Sequence, residues 1–285
     1  MAVLEKCLSP PHLRLRMIDE ARLAEIVREA GRIACAQWPG GGHDLKVWNK
    51  GPGNPVCAAD IAVDRFLRRE LTALMPSAAW LSEETVDEPV RLESDCVWLV
   101  DPIDGTRDFI RGRSGWAVSV ALVRAGRPLI GMLHAPARDE EWHAVAGQGA
   151  WRNGARLTAS TREELAGARV PSAGLAKADW LLKAVAQPNS IALRIGMVAA
   201  AEADLVATLR WGHEWDIAAA TLIAREAGAA IGDAFGKPLA FNKREPGAFG
   251  LVVSSPAIFA DAVDHIAHIA ARARTAAKAH GPAAA

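Results

Sequence analysis

The stretch CVWLVDPIDGTRDF, residues 96–109, constrains this chain more than any other. Val97 to Val100 is an unbroken apolar run and reads as a buried strand. It stops at two aspartates three residues apart, Asp101 and Asp104, set among a proline, a glycine and a threonine. Asp-Pro and Asp-Gly are ordinary turn signals, so a turn is one sufficient account of them. The spacing fails as a calcium loop of the EF-hand kind, which needs alternating oxygen ligands and a late glutamate. Strand ends and helix starts are also where α/β proteins place their sites.

The elements around this strand fall into two rhythms. A helix is expected at about Asp19–Trp38, from Ile18, Leu23, Ile26, Val27, Ala30, Ile33 and Ala34 on one stripe. PGGGHD ends it. A short segment, Leu45–Trp48, precedes the loop KGPGNPV, and a second helix spans about Ala59–Met75. Short strands then dominate, including a hairpin turning around Gly126 and turns at Gly147 and Asn153-Gly154. After about residue 156, helices at Ile191–Ala203, Trp215–Ala227 and Ala257–Ala276 alternate with short strands. The reading is therefore an α+β half over 1–155 and an α/β half over 156–285, built as one unit, with a disordered tail at about 275–285.

The totals exclude several classes. With 285 residues, 51% of them apolar, a large core can be buried. Lys plus Arg and Asp plus Glu are 33 each, which argues against a nucleic-acid polymer or an anionic membrane as partner. A small anionic metabolite needs only a local patch. No apolar run suits a membrane span or a signal peptide. Cys7, Cys35, Cys57 and Cys96 form no Cys-x-x-Cys pair and read as reduced thiols, so a cytoplasmic location is expected. The oligomeric state is left open between monomer and homodimer.

Three further acids stand where apolar elements begin or end. Glu83, with Glu84, follows the short run AWLS. Asp216 opens the amphipathic helix of WDIAAATLIAREAG, and Asp60 opens the second helix. Taken singly, Asp60 and Asp216 suit helix capping. Taken together, such carboxylates repel one another unless cations lie among them. Oxygen donors without His or Cys suit a hard ion, Mg²⁺ before Zn²⁺. Two or three Mg²⁺ would suit transfer of a phosphoryl group to water. Gly105 and Thr106 would then offer backbone N–H groups to a phosphate, the Thr106 hydroxyl would hold the attacking water, and Glu83 would take its proton.

The motifs LSEE, WLVDPIDGTRDF and WDIAAATLIAREAG, in this order, resemble the inositol monophosphatase superfamily of Mg²⁺-dependent phosphomonoesterases. The resemblance covers about residues 20–260. Ser82 in LSEE and the GWAVSVAL strand are similar to the branch of bacterial 3'(2'),5'-bisphosphate nucleotidases, which convert 3'-phosphoadenosine 5'-phosphate, a by-product of sulfate assimilation, to AMP. The resemblance implies a layered αβαβα sandwich. It implies metal binding by Glu83, Asp101, Asp104, Asp216, Asp60 and the Ile103 carbonyl. It also implies catalytic roles for Glu83, Asp60 and Thr106, and substrate contacts from Gly105, Thr106 and Asp216.

The chain departs from the family pattern in two places. In KGPGNPVCAAD, Asn54 stands at a serine position and Cys57 at a threonine position. The nucleotidase Gly-Ser-Ser-x-Lys stretch is replaced by SIALR, leaving Arg194 as a basic residue for a second phosphate or as a plain helix charge. Two alternatives stay open: action on inositol 1-phosphate or another sugar phosphate, and a member that binds a phosphorylated metabolite without turning it over.

Overall fold

A computed structural model describes residues 18–51, 54–172, 175 and 181–267. Helix α1 (Glu20–Cys35) is capped by Asp19, whose side chain accepts the Arg22 N–H at 2.9 Å. Leu23, Ile26, Val27, Ala30 and Ala34 make its buried stripe. Strands β1 (Val47–Gly51) and β2 (Asn54–Cys57) form an antiparallel hairpin that runs into α2 (Ala58–Leu74). The segment expected at Leu45–Trp48 lies further along the chain because Val47, Trp48 and Asn49 pair with Cys57, Val56 and Pro55.

The main sheet takes its strands in sequence order: β3 (Ala79–Ser82), β4 (Cys96–Asp104), β5 (Ala117–Arg124), β6 (Arg127–Ala135), β7 (Glu140–Val145), β8 (Gly149–Arg152) and β9 (Ala155–Arg156). β3 and β4 are parallel, and the later neighbours are antiparallel. The short helix α3 (Thr106–Ile110) follows β4. The β5–β6 hairpin turns through Ala125 and Gly126, both at positive φ, the twist that two-residue hairpins need.

A parallel pair, β10 (Arg169–Val170) and β11 (Lys183–Ala184), precedes α4 (Ile191–Ala199). Then come β12 (Leu205–His213), α5 (Glu214–Glu226), β13 (Ala230–Gly232) and β14 (Gly247–Ser254). Helix and strand alternate here as expected, but β12, β14 and β13 pair antiparallel, with β14 in the middle. The second half is thus not a set of parallel βαβ units. The helix expected to reach Ala203 ends at Ala199, and Ala201 takes a left-handed φ of 55° that no helix continues. Beyond a 3₁₀ turn at Pro256–Ile258 the chain is helical to residue 267, and the expected tail at about 275–285 lies outside the described residues.

The alternation of side chains across two sheets sets the layers. Trp98 and Val100 of β4 face α1 and α2, where they pack with Leu23, Val63 and Leu67. Val97 and Leu99 face the other way, onto α4 and α5, with Ile195, Ala219 and Ile223. Val206 and Val253 of the small sheet close that layer from beyond. Leu205 and Val252 point outward to Ile258, Ala262 and Ile266. The result is helices, sheet, helices, sheet, helix: the layered α+β sandwich expected. Contact between the middle layers is close. A Cβ on Gly131 of β6 would lie 2.7 Å from the Ala219 carbonyl oxygen of α5. Among the described residues no helix is long and apolar enough to cross a membrane.

An ion pair with a buried carboxylate and a half-exposed guanidinium secures the outer sheet. Asp204, 2% exposed, accepts the Arg169 fork at 2.7 and 2.9 Å, the Ser160 hydroxyl at 2.6 Å and the Arg169 backbone N–H at 2.9 Å. Burial alone would raise its carboxyl, but these donors outweigh burial and hold it at about 2, below the ordinary 3.8. A depressed folded value contributes stability that is present above the ordinary value and lost as pH falls through the folded one. Asp204→Asn should therefore unfold about 2 kcal/mol more easily at neutral pH. In urea titrations the gap to wild type should close between pH 3.8 and about 2.

Candidate active site

The site is built where β4 loses register. Asp101 opposes Ser119 of β5 and Asp104 opposes Ala117, so Pro102 and Ile103 form a bulge. The Asp101 carboxylate accepts the Ile103 N–H at 3.0 Å, which folds the turn back on itself. Gly105 then takes φ +97° and starts α3. Its missing Cβ matters, since that atom would lie 2.6 Å from the Gly115 carbonyl oxygen and 2.8 Å from the Ser190 nitrogen. The Thr106 hydroxyl sits 3.1 Å from the Ile103 carbonyl and 3.5 Å from Asp60 Oδ1.

The other acids arrive from separate elements. Glu83 follows β3, and its N–H bonds the Val100 carbonyl at 3.3 Å. Lys50 of β1 contacts both neighbours: its Nζ is 3.9 Å from Glu83 Oε1 and pairs more closely with Glu84. Asp60 and Asp216 both close capping boxes, accepting the Cys57 and His213 N–H groups at 2.8 and 3.0 Å. The capping role and the cluster therefore coexist. Asp104 reaches furthest, accepting the Ser190 hydroxyl at 2.5 Å and the Ala192 N–H at 2.7 Å at the start of α4.

Electrostatics shows which acids share a neighbourhood. Asp60, Asp101 and Asp104 are buried, while Glu83 and Asp216 are half-buried. Burial raises the Glu83 carboxyl to about 8, with the Asp216 charge adding to the rise and Lys50 opposing it. Burial and then Asp104 carry Asp216 to about 7. Asp101 is pushed well up by burial, then by Glu83, Asp104, Asp216 and Asp60. Burial also raises Asp104 and Asp60, against the hydrogen bonds they accept. Glu83, Asp101 and Asp216 are each hindered in ionising by neighbouring carboxylates, Asp60 and Asp104 among them, so the site suits positive charge.

The donor set is oxygen only, which fits a hard divalent cation. Among the described residues no three His, Cys, Asp or Glu side chains are already arranged as a metal-binding group. The acids share the site without yet converging as ligands do. Cys57 is a donor here: its Sγ is 2.8 Å from Asp60 Oδ2. Burial, with the Asp60 charge, raises its thiol far above the ordinary value, so it is no nucleophile. His213 stacks on Trp215 at 4.4 Å, and burial lowers its basicity.

Arg194, expected either as a basic residue for a second phosphate or as a plain helix charge, is engaged with its own loop. Its Nε donates to the Pro188 carbonyl at 2.6 Å and a terminal nitrogen donates to Asn189 at 3.1 Å. It braces the loop that carries Ser190. Ser190 itself was legible as a cap, a serine just before the apolar run IALRIGMV, but nothing in the sequence linked it to Asp104. Arg210, exposed on β12, was missed altogether: its charge acts on both Asp216 and Arg194. An arginine inside a strand carries no local signal of that.

Residues 18–272 match the inositol monophosphatase family. The 3'(2'),5'-bisphosphate nucleotidase CysQ of Escherichia coli K12 is 34% identical over 244 residues, covering 80% of this chain and 95% of that protein. A fructose-1,6-bisphosphatase/inositol-1-monophosphatase of Thermotoga maritima is 30% identical over 228 residues, covering 77% of this chain and 86% of that protein. Among solved structures, a Thermotoga maritima IMPase superposes with a TM-score of 0.76 at 26% identity, covering 92% of this chain and 99% of that one. With the layered fold and the acid cluster at its strand ends, these likenesses define a phosphoric monoester hydrolase. The chain belongs to the inositol monophosphatase family.

Proposed function

We propose that this enzyme is a 3'(2'),5'-bisphosphate nucleotidase that releases the 3'-phosphate of 3'-phosphoadenosine 5'-phosphate and leaves AMP. The placement of Glu83, Asp101, Asp104, Asp216 and Asp60 within one another's electrostatic reach around the β4 turn supports the chemistry. The 34% identity to the Escherichia coli nucleotidase supports the substrate. These five acids and the Ile103 carbonyl would hold two or three Mg²⁺, whose charge would stabilise the phosphate and the leaving alkoxide.

The protein's own groups have distinct tasks. Thr106 orients the attacking water, its hydroxyl being fixed between the Ile103 carbonyl and Asp60. Glu83 takes the water's proton as oxygen bonds to phosphorus. The bond from phosphorus to the ribose 3'-oxygen breaks, and the proton taken up by Glu83 is passed through water to that oxygen. Gly105, without a side chain, lets the phosphate approach the backbone at the start of α3. Asp216, at the start of α5, lies on the substrate side. Ser190 and Arg194 act behind the site, holding Asp104 and its loop.

Inositol 1-phosphate is the second reading, favoured by the 30% identity to the Thermotoga maritima enzyme. Phosphate release from the bisphosphate nucleotide, inositol 1-phosphate and fructose 1,6-bisphosphate, measured side by side in Mg²⁺, separates the two. The nucleotide should lead in kcat/KM by about tenfold or more. A lead for inositol 1-phosphate would replace the reading.

A further inference from the structure

The connection from β3 to β4 begins with Glu83 and carries a 3₁₀ turn at Pro89–Glu93. Arg91 in that turn is 1% exposed, and among the described residues no other arginine or lysine is buried. A guanidinium taken out of water needs acceptors around its whole edge. Asp87, on the same connection, takes Nε at 2.6 Å and a terminal nitrogen at 2.9 Å. The remaining donors cross to the loop before β14. One terminal nitrogen donates to Asn242 Oδ1 at 2.6 Å, and the other to the Lys243 carbonyl at 2.9 Å.

That loop is also held by the first residue of α5. Glu214 is wholly buried. Its carboxylate accepts the Asn242 N–H at 2.5 Å and the Lys243 N–H at 3.2 Å, and its own N–H donates to the Pro246 carbonyl at 2.9 Å. Asn242 takes a left-handed φ of 59°, which asparagine tolerates better than most residues. Asp216 stands two residues beyond Glu214. Near Glu83, the Thr85 hydroxyl donates to Asp64 of α2 at 2.9 Å. Directional bonds thus join the segment of Glu83 to the segment of Asp216. Apolar packing of the same volume stabilises as well as a buried ion does. What the bonds add is fixed spacing, and ligands on separate elements must be held to within about 0.5 Å.

We propose that Arg91 is a positioning residue for the metal site. Through Asn242 and Lys243 it fixes Glu214, and so holds the Asp216 end of α5 against the segment that carries Glu83. This rests on the reading of the acid cluster as a Mg²⁺ site and not on which monoester is cleaved.

The test is calorimetric titration of Mg²⁺ into metal-free protein without substrate, at a temperature where circular dichroism shows each variant folded. Arg91→Met removes a positive charge, which by Coulomb attraction alone would tighten a cation. Positioning predicts the opposite, a Kd for Mg²⁺ raised about tenfold. The Mg²⁺ needed for half-maximal phosphate release should rise in step, with KM for the monoester little changed. Asn242→Gly accepts the left-handed φ and keeps the N–H that Glu214 takes, but loses the oxygen held by Arg91. It should weaken Mg²⁺ binding in the same direction, and it decides the matter alone if Arg91→Met fails to fold. Mg²⁺ affinity unchanged or tighter, whatever the melting temperature, would reduce Arg91 to a structural role and overturn the assignment. A wild type that binds no Mg²⁺ would instead overturn the reading of the site itself.

Discussion

Asp101→Asn should give a folded protein that melts higher than wild type without metal and has lost about a thousandfold or more in turnover. The substitution keeps the size of the side chain and the oxygen that accepts the Ile103 N–H at 3.0 Å. It removes only the charge. That charge is opposed by burial and by four neighbouring carboxylates, so its loss relieves the metal-free protein. The same charge is what a divalent cation needs. A ligand that binds the folded state at a hundred times its Kd adds about 2.7 kcal/mol of stability. Mg²⁺ should therefore raise the melting temperature of wild type more than that of the variant.

The cluster also sets a pH dependence with a definite sign. Glu83 titrates at about 8 when folded, against an ordinary 4.5. The folded state thus binds protons more tightly than the unfolded one in this window. Metal-free wild type should lose stability as pH rises from 4.5 towards 8, and Asp101→Asn should flatten the decline. Melting curves at both ends of the window, with and without Mg²⁺, measure this. Near-normal turnover of Asp101→Asn at saturating Mg²⁺ would dismantle the account of the site.

Gly105→Ala should cost about 2–5 kcal/mol of stability and most of the activity together. Two effects add. A left-handed φ of +97° is strained for any residue with a Cβ. That Cβ would also collide with backbone, at 2.6 Å from the Gly115 oxygen and 2.8 Å from the Ser190 nitrogen. Backbone cannot rotate away as a side chain can. Relief requires the β4 turn to part from the start of α4, which is where Asp104 is held by Ser190 and Ala192. Urea unfolding and phosphate release report the two losses. A variant with wild-type stability would show that the turn and α4 are not tightly joined.

Much of this arrangement was written locally. The apolar run Val97–Val100 and its stop at Asp101 are visible in a dozen residues. The capping positions of Asp60 and Asp216 follow from the helices they open. The Ala125-Gly126 turn is a short-range property of the chain. Antiparallel pairing of β12, β14 and β13 was not legible, because alternation of helix and strand looks the same whichever way a strand returns. Arg194 was read either as a contact for a second phosphate or as a plain helix charge, since periodicity places a side chain on a face but does not say which carbonyl it meets.

The sequence by itself determined the elements, the inventory of carboxylates and the turn that carries two of them, because propensity, capping and hydrophobic period act over a few residues. The tertiary structure alone decided that Asp104 would be gripped by Ser190 and that Lys50 would lie between Glu83 and Glu84. Those are meetings between residues far apart along the chain. Burial and charge at close range give them their energy, and only the packing of the layers sets that range.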